Sequence, residues 1–261
     1  MPITKSQVKY IQSLGHKKFR DQDGVFLAEG PKTVGELLNA PNIRPVQVYA
    51  VRDWVATVPG ERPSGEVDEQ LSGRVAAGGL LTEVNDSELE RISSLSTPNQ
   101  VLAVFEKPSF PPPAFNQGLS LVLDGIQDPG NLGTIVRIAD WFGLSRVFCS
   151  RDSADVFNSK AVQSTMGSIS RVQVLYGDPG DLIREHPTLP IYAAALEGKN
   201  LYEQPRIREG LLLIGNESKG IRPELLERAT HAITIPRIGR AESLNAGVAT
   251  GIILSHLVYF G

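Results

Sequence analysis

The amino-acid sequence predicts an α/β protein, with a C-terminal parallel sheet carrying helices on both faces and a smaller N-terminal α/β domain before it. Two observations predict this. From Val25 onward, short β-rich runs alternate with stretches of helical period, the rhythm of strands joined by covering helices. Midway, Lys107 to Gly118 contains three consecutive prolines, which forbid helix and favour an extended spacer. The organisation read from these signals is 1–107 as an N-terminal domain, 108–118 as a Pro-rich linker and 119–261 as a second domain.

In the first domain the elements fall at Val25 to Glu29, Lys32 to Asn39, Val46 to Val51, Leu80 to Val84, Ser87 to Ser94 and Val101 to Phe105. In the second, a strand over Leu119 to Leu123 leads into a helix expected to begin near Asn131. More strands are expected at Arg146 to Cys149, Val172 to Leu175, Ile191 to Ala195, Leu211 to Ile214 and Ala232 to Ile235. Asp178-Pro179 supplies a capping side chain and a first-turn proline for one helix. Ser243 precedes a long apolar segment from Leu244 to Phe260 and is its expected cap.

Composition narrows the class. A chain of 261 residues that is 41% hydrophobic can bury a core. Cys149 is the only cysteine, which excludes an intramolecular disulfide and fits a reducing cytoplasm. The N-terminal stretch lacks a signal-peptide core, and no apolar run is long enough to span a bilayer. A soluble, cytoplasmic protein with no membrane partner is the expectation. The four histidines, His16, His186, His231 and His256, lack metal-ligand spacing, and no metal is expected.

The formal net charge of −3 does not announce a nucleic-acid binder, but local clustering matters more than the sum. The first 33 residues carry Lys5, Lys9, Lys17, Lys18, Arg20 and Lys32 against Asp21, Asp23 and Glu29. Such a patch is able to follow a phosphate backbone or to be the solvated face of a short helix.

Three segments of the second domain carry candidate chemistry. Leu123 to Gly143 reads as strand, glycine-rich turn and helix. At 100° per residue Leu132, Ile135, Val136, Ala139 and Phe142 share one face, which leaves Thr134, Arg137 and Trp141 opposite the core. Leu213 to Pro223 places glycines directly after a buried strand, where backbone groups approach a ligand closely. Neither the Walker A spacing nor GxGxxG is present, so ATP hydrolysis and hydride transfer are unsupported. Ile233 to Gly251 reads as strand, loop and helix start, with a Ser-Leu-Asn run whose polar groups cap the helix or hold a polar ligand.

In order and spacing these segments resemble the three signature motifs of the SpoU/TrmH family, within the SPOUT class of RNA methyltransferases. The first pattern is Asn131, Gly133, Ile135 and Arg137; the second is Gly215, Asn216, Glu217 and Gly220; the third is Ile235 and Pro236 followed by Ser243, Leu244 and Asn245. The resemblance covers Leu119 to Gly261. Phe26 to Val34 is similar to the start of the substrate-binding domain often attached to this family.

The resemblance implies a fold with a trefoil knot and an S-adenosylmethionine-dependent enzyme that methylates a ribose 2′-hydroxyl in ribosomal or transfer RNA. Gly215, Asn216, Ile235, Leu244 and Asn245 are then the cofactor-binding residues. Arg137 activates the hydroxyl, Asn131 orients Arg137 or the ribose, Glu217 braces the site, and Ser243 with Asn245 holds the catalytic loop. The partners implied are RNA, S-adenosylmethionine and a second copy of the chain as a homodimer. Rival readings are a catalytically idle RNA-binding protein on the same scaffold and a base-directed RNA methyltransferase. Two departures from the family pattern stand out. Ser218 replaces a frequent glycine, and Ala246-Gly247 follows the asparagine, the glycine being expected to loosen the helix start by about 0.5–1 kcal/mol relative to alanine.

Overall fold

The structure, a computed structural model, describes residues 3–57 and 79–259. The chain forms two compact units, Met1–Ser109 with Phe157–Ser170, and Phe110–Val156 with Arg171–Gly261.

In the first unit, helices Lys5–Ser13 and Lys17–Asp23 precede β1 (Val25–Glu29). They are followed by helix Pro31–Leu38, β2 (Pro45–Ala50), helix Arg52–Thr57, β3 (Leu81–Glu83), helix Asp86–Ile92 and β4 (Val101–Glu106). The sheet order is β1-β4-β2-β3, with β4 antiparallel to both neighbours and β3 parallel to β2. Thr4 and Gln7 form a reciprocal capping box that starts the first helix. Ile11, Leu14, Leu27, Leu89, Leu102 and Val104 from these helices and strands share one apolar core.

The basic patch is smaller than the sequence implies. Arg20 is buried and donates to the Leu14 and Gly15 carbonyls at 2.8 Å each. It closes the turn between the first two helices and is not exposed to a phosphate. Lys17 pairs with Asp21, which also accepts from Lys107 at 2.6 Å. Lys5, Lys9, Lys18 and Lys32 remain exposed.

The excursion 157–170 joins this unit because its apolar and polar groups find partners there. Phe157 packs on the fully buried Phe26 with ring centroids 5.3 Å apart, and Asn42 donates to the Ser170 carbonyl at 2.9 Å. No local sequence signal marks this return.

The second unit contains β5 (Leu119–Asp124), helix Pro129–Trp141, β6 (Arg146–Ser150), β7 (Gln173–Gly177), helix Pro179–Glu185, β8 (Ile191–Asn200), β9 (Gly210–Gly215), helix Pro223–Leu226, β10 (His231–Thr234) and helix Ala246–Leu254. Its six strands are all parallel, in the order β10-β8-β9-β5-β6-β7. Every residue of β5 is buried, as expected of a central strand covered on both faces. Val122 packs with Leu182 and Leu225 from two covering helices, whereas Leu121 and Leu123 point to the opposite face. Prolines 111–113 stand exposed, but Phe115 is buried edge-on against Phe148 at 6.0 Å. The end of the Pro-rich stretch is thus part of this core.

Two helix starts differ from expectation. The first-motif helix begins at Pro129, and its cap is Asp128, whose carboxylate accepts from the Asn131 N–H at 2.9 Å. The last helix begins at Ala246, and its cap is Asn245, whose Oδ1 accepts from Gly247 and Val248 at 2.9 and 3.2 Å. Ser243 lies in the preceding loop. The apolar segment that follows is helical to Leu254, then turns π-helical over Ser255–Tyr259, and Phe260 lies outside the described residues.

Candidate active site

The sheet order fixes where a site can form. From β5 the chain moves outward to β6 and β7, while β9 lies on the other side of β5. In open parallel sheets, the crevice at the carboxyl ends of strands that diverge in this way is the usual ligand position. The first and second motifs leave the sheet at that point, one after β5 and the other after β9.

The β9 turn is built to be tight. Gly215 pairs in register with Asp124 of β5. A Cβ at Gly215 would lie 2.3 Å from both the Gly220 carbonyl carbon and the Ile221 nitrogen, so no other residue fits. Asn216 and Gly220 exchange backbone hydrogen bonds at 3.1 and 2.8 Å and close the turn. The Asn216 side chain accepts from Ser218 and Lys219 at 2.9 and 3.0 Å and donates to the Gly125 carbonyl at 2.8 Å. One asparagine therefore shapes the turn and ties it to the turn after β5.

Gly125 has a φ of 71°, the left-handed region that favours glycine. Its N–H donates to the Ser150 hydroxyl at 2.8 Å. The Asp152 carboxyl nearby is held below the usual carboxylate range, chiefly by a hydrogen bond from Ser150 and further by the charges of Arg222 and Lys219.

The three motifs meet in one chain of side-chain hydrogen bonds. Asn131 Nδ2 donates to Glu217 Oε1 at 2.5 Å, and Asn245 Nδ2 donates to Asn131 Oδ1 at 2.9 Å. Asn131 is polarised in one direction, donating to a carboxylate and accepting from an amide. Because Asn245 also caps the last helix, the position of that helix start is coupled to Glu217. The helices beside it are close: a Cβ at Gly247 would meet Thr134 Cγ2 at 3.1 Å and Asn245 Oδ1 at 3.2 Å. The expected flexibility of Gly247 is thus accompanied by a packing reason for its small size.

The remaining expected site residues lie outside this chain of bonds. Arg137 is exposed on the first-motif helix and makes no ion pair with a described residue. Ile235 is half-buried just after β10, while Ser243 and Leu244 are exposed in the loop that ends at Asn245. That loop starts at the sheet edge and returns to Asn131, across the positions of β8 and β9.

Sequence reasoning missed Asp124 and Arg222. Asp124 is 2% exposed and accepts from both the N–H and the Nε of Arg222 at 2.8 Å. Burial opposes the Arg222 charge, but Asp124, with Glu224 and Asp152, more than offsets it and lifts its pKa above the ordinary arginine value. The available signal was an acidic residue as the last of a buried strand, at the end where ligands bind.

Known proteins resemble this chain in both of its matched segments. The model of the SpoU rRNA Methylase family matches residues 118–255, and that of the MRM3-like substrate binding domain matches residues 5–103. A 23S rRNA (guanosine(2553)-2′-O)-methyltransferase of Bacillus subtilis is 31% identical, covering 96% of this chain and 95% of its own. A 23S rRNA (uridine(2479)-2′-O)-methyltransferase of Streptomyces viridochromogenes is 27% identical over 94% of this chain and 86% of its own. The crystal structure of an AdoMet-bound rRNA methyltransferase from Sinorhizobium meliloti superposes with a TM-score of 0.82 at 31% identity, covering 98% and 97% of the two chains.

Proposed function

Since the chain belongs to the SpoU rRNA methylase family, we propose that it methylates a ribose 2′-hydroxyl of ribosomal or transfer RNA with S-adenosylmethionine. The observation that carries this reading is the Glu217–Asn131–Asn245 hydrogen-bond chain, which joins all three motifs at the carboxyl ends of β5 and β9. The matched relatives act on guanosine in one case and uridine in another, so the target base is not inherited with the family.

The residues suit an adenosine-bearing group. Gly215, Asn216, Leu244 and Asn245 are uncharged, and the turn after β9 presents backbone at a position where a Cβ has no room. Such a surface admits a flat neutral ring between apolar side chains and main-chain polar groups. In our reading Gly215, Asn216, Ile235, Leu244 and Asn245 hold the cofactor. When bound, S-adenosylmethionine supplies an electrophilic methyl group on a sulfonium.

The protein's own task is positioning, which is worth roughly 7–11 kcal/mol when two reacting groups are fixed in line. Asn131, held from both sides, orients the ribose or Arg137. Glu217 braces Asn131, and Ser243 with Asn245 holds the loop. Arg137 projects into solvent, in reach of an incoming substrate rather than spent on an internal ion pair. A guanidinium stays protonated, so its role is to donate hydrogen bonds to the 2′-oxygen and stabilise negative charge as the hydroxyl proton passes to solvent water.

We further propose a homodimer. Its support is the paired surface of the first-motif and last helices, where Trp141 is 85% and Val248 is 52% exposed. Two large apolar side chains left in solvent on packed helices would be covered by a partner's copy of the same surface. The reading also includes a knotted threading of the 235–245 loop and a reducing, cytoplasmic setting. Among the described residues no helix is long and apolar enough to cross a membrane.

The test maps ribose methylation across cellular RNA with and without the protein, then repeats it with Arg137→Ala. Loss of one specific 2′-O-methyl mark in both is expected, with calorimetric S-adenosylmethionine binding retained and the rate down by about 10²-fold or more. A base methylation in place of a ribose mark, or full activity in the variant, overturns the assignment.

A further inference from the structure

We propose that Asp124 and Arg222 form a positioning staple that sets the shape of the Gly215–Gly220 turn and thereby the affinity for the methyl donor. This rests on the reading of that turn as the cofactor site.

The turn is anchored at both of its ends. Its N-terminal end is fixed by Asn216, whose Nδ2 donates to the Gly125 carbonyl at 2.8 Å. Its C-terminal end runs through Ile221 into Arg222, whose backbone N–H and Nε both donate to Asp124 at 2.8 Å. Both anchors are thus consecutive residues of one chain segment, Asp124 and Gly125, and Asp124 is also the register partner of Gly215. The turn is clamped at entry and exit to a single point on the neighbouring strand.

Stability alone does not account for a charge in this place. Asp124 is 2% exposed, and a buried ion pair is on average no more stabilising than apolar residues of similar volume, because desolvation cancels much of the attraction. What a bidentate carboxylate supplies is direction. Its two oxygens reach one backbone donor and one side-chain donor of the same residue, which fixes both the path and the rotation of the chain at Arg222. The Arg222 side chain is 41% exposed and has Glu224 3.8 Å away, so the pair sits at the surface of the crevice with only its acidic half enclosed.

The experiment uses the full chain with Arg222→Ala, Arg222→Lys, Asp124→Asn and the double variant Asp124→Asn/Arg222→Ala. Because Arg222 is partly exposed, its variants are expected to fold, as checked by thermal unfolding. Calorimetry with S-adenosylmethionine is expected to show affinity reduced about tenfold or more in Arg222→Ala. Arg222→Lys, which keeps the charge, should be intermediate, the backbone donor being common to both variants. Any fall in kcat at saturating methyl donor should accompany the loss of affinity, because Glu217 is carried by the same turn. The double variant should lose no more affinity than the worse single variant, since the two residues act through one contact.

Hydrogen exchange reads the staple without any ligand: amides of residues 216–221 should exchange faster in Arg222→Ala. If the parent protein binds no S-adenosylmethionine, the cofactor assignment fails while exchange still tests the staple. Unchanged exchange in a folded Arg222→Ala overturns the staple. So does unchanged affinity, or a fall confined to kcat, in a parent that binds.

Discussion

Replacing Asn131 by alanine probes the link on which the assembled site depends. The substitution removes the donor to Glu217 and the acceptor for Asn245 in one step. A hydrogen bond to a charged group contributes about 1.5–3 kcal/mol and a neutral one about 0.5–1.5 kcal/mol. Asn131 and Glu217 are partly buried and Asn245 is exposed, so the lower half of each range applies, giving about 2–3 kcal/mol of lost organisation. If that organisation is felt in the transition state, the rate falls roughly 30- to 150-fold, at about 1.4 kcal/mol per factor of ten. Global stability should fall by no more than that amount, because the helix start keeps its Asp128 cap. Single-turnover methyl transfer to RNA, paired with thermal unfolding, separates the two effects. Asn131→Asp sharpens the test, for it keeps the acceptor toward Asn245 but sets a second carboxylate against Glu217. It should be at least as damaged as alanine, and adding Glu217→Gln should restore much of the loss by reversing the polarity of the bond. An Asn131→Asp enzyme with parental activity, or a double variant no better than the single, refutes the proposed coupling.

The crowding at Gly215 makes Gly215→Ala a backbone perturbation: a Cβ 2.3 Å from Gly220 forces the turn open. It should cost about 1–3 kcal/mol in urea unfolding and abolish measurable S-adenosylmethionine binding. Asp21 offers a pH test, since hydrogen bonds from Lys107 and Lys17 hold its carboxyl at about 2, down from 3.8. A depressed carboxylate contributes stability above its unfolded value and loses it as pH falls from about 4 toward 2. Asp21 is well exposed, so the contribution is at most about 0.5 kcal/mol. Unfolding curves of Asp21→Asn and parent should differ at pH 6 and converge near pH 2. Trp141→Glu places a charge on the proposed dimer face. Sedimentation should shift from dimer to monomer while S-adenosylmethionine binding to the folded chain persists, unless the partner completes the pocket.

Much of the second unit was legible because its central strands β5 and β9 are buried on both faces and its segments are bounded by glycine and proline. β5, β6 and β9 each fall within about one residue of the apolar run that predicted them. The caps were harder. Asp128, Asn131, Ser243 and Asn245 all have side chains able to cap, and sequence spacing does not say which one the backbone turns under. The structure chooses Asp128 because Pro129 fits the first helical position after it, and Asn245 because its Oδ1 reaches two N–H groups of the following turn. That choice frees Asn131 and the amide nitrogen of Asn245 for each other. Arg20 was misjudged for a related reason: a charge count does not reveal two carbonyls waiting at the end of a helix.

The hydrogen bonds between motifs were beyond any reading of single segments. They arise from parallel pairing of β5 with β9, strands 86 residues apart at the positions of Asn131 and Glu217. No local propensity encodes that adjacency, yet each participant has a local feature that tolerates it: a glycine with no room for a Cβ, an asparagine with both ends engaged, a cap with a spare donor. The consequence is a division of labour within the site. Its frame is held internally, each charge paired or hydrogen-bonded, through Asn131, Glu217, Asn216, Asn245 and the Asp124–Arg222 pair. Arg137, by contrast, makes no ion pair with a described residue and faces solvent. A frame that only stabilised the fold would have no use for a partly buried carboxylate whose bond runs to a neutral amide. In the proposed reading, a frame that presents one ribose oxygen in a fixed direction has that use, because Glu217 locks the rotation of Asn131 without lending it a charge.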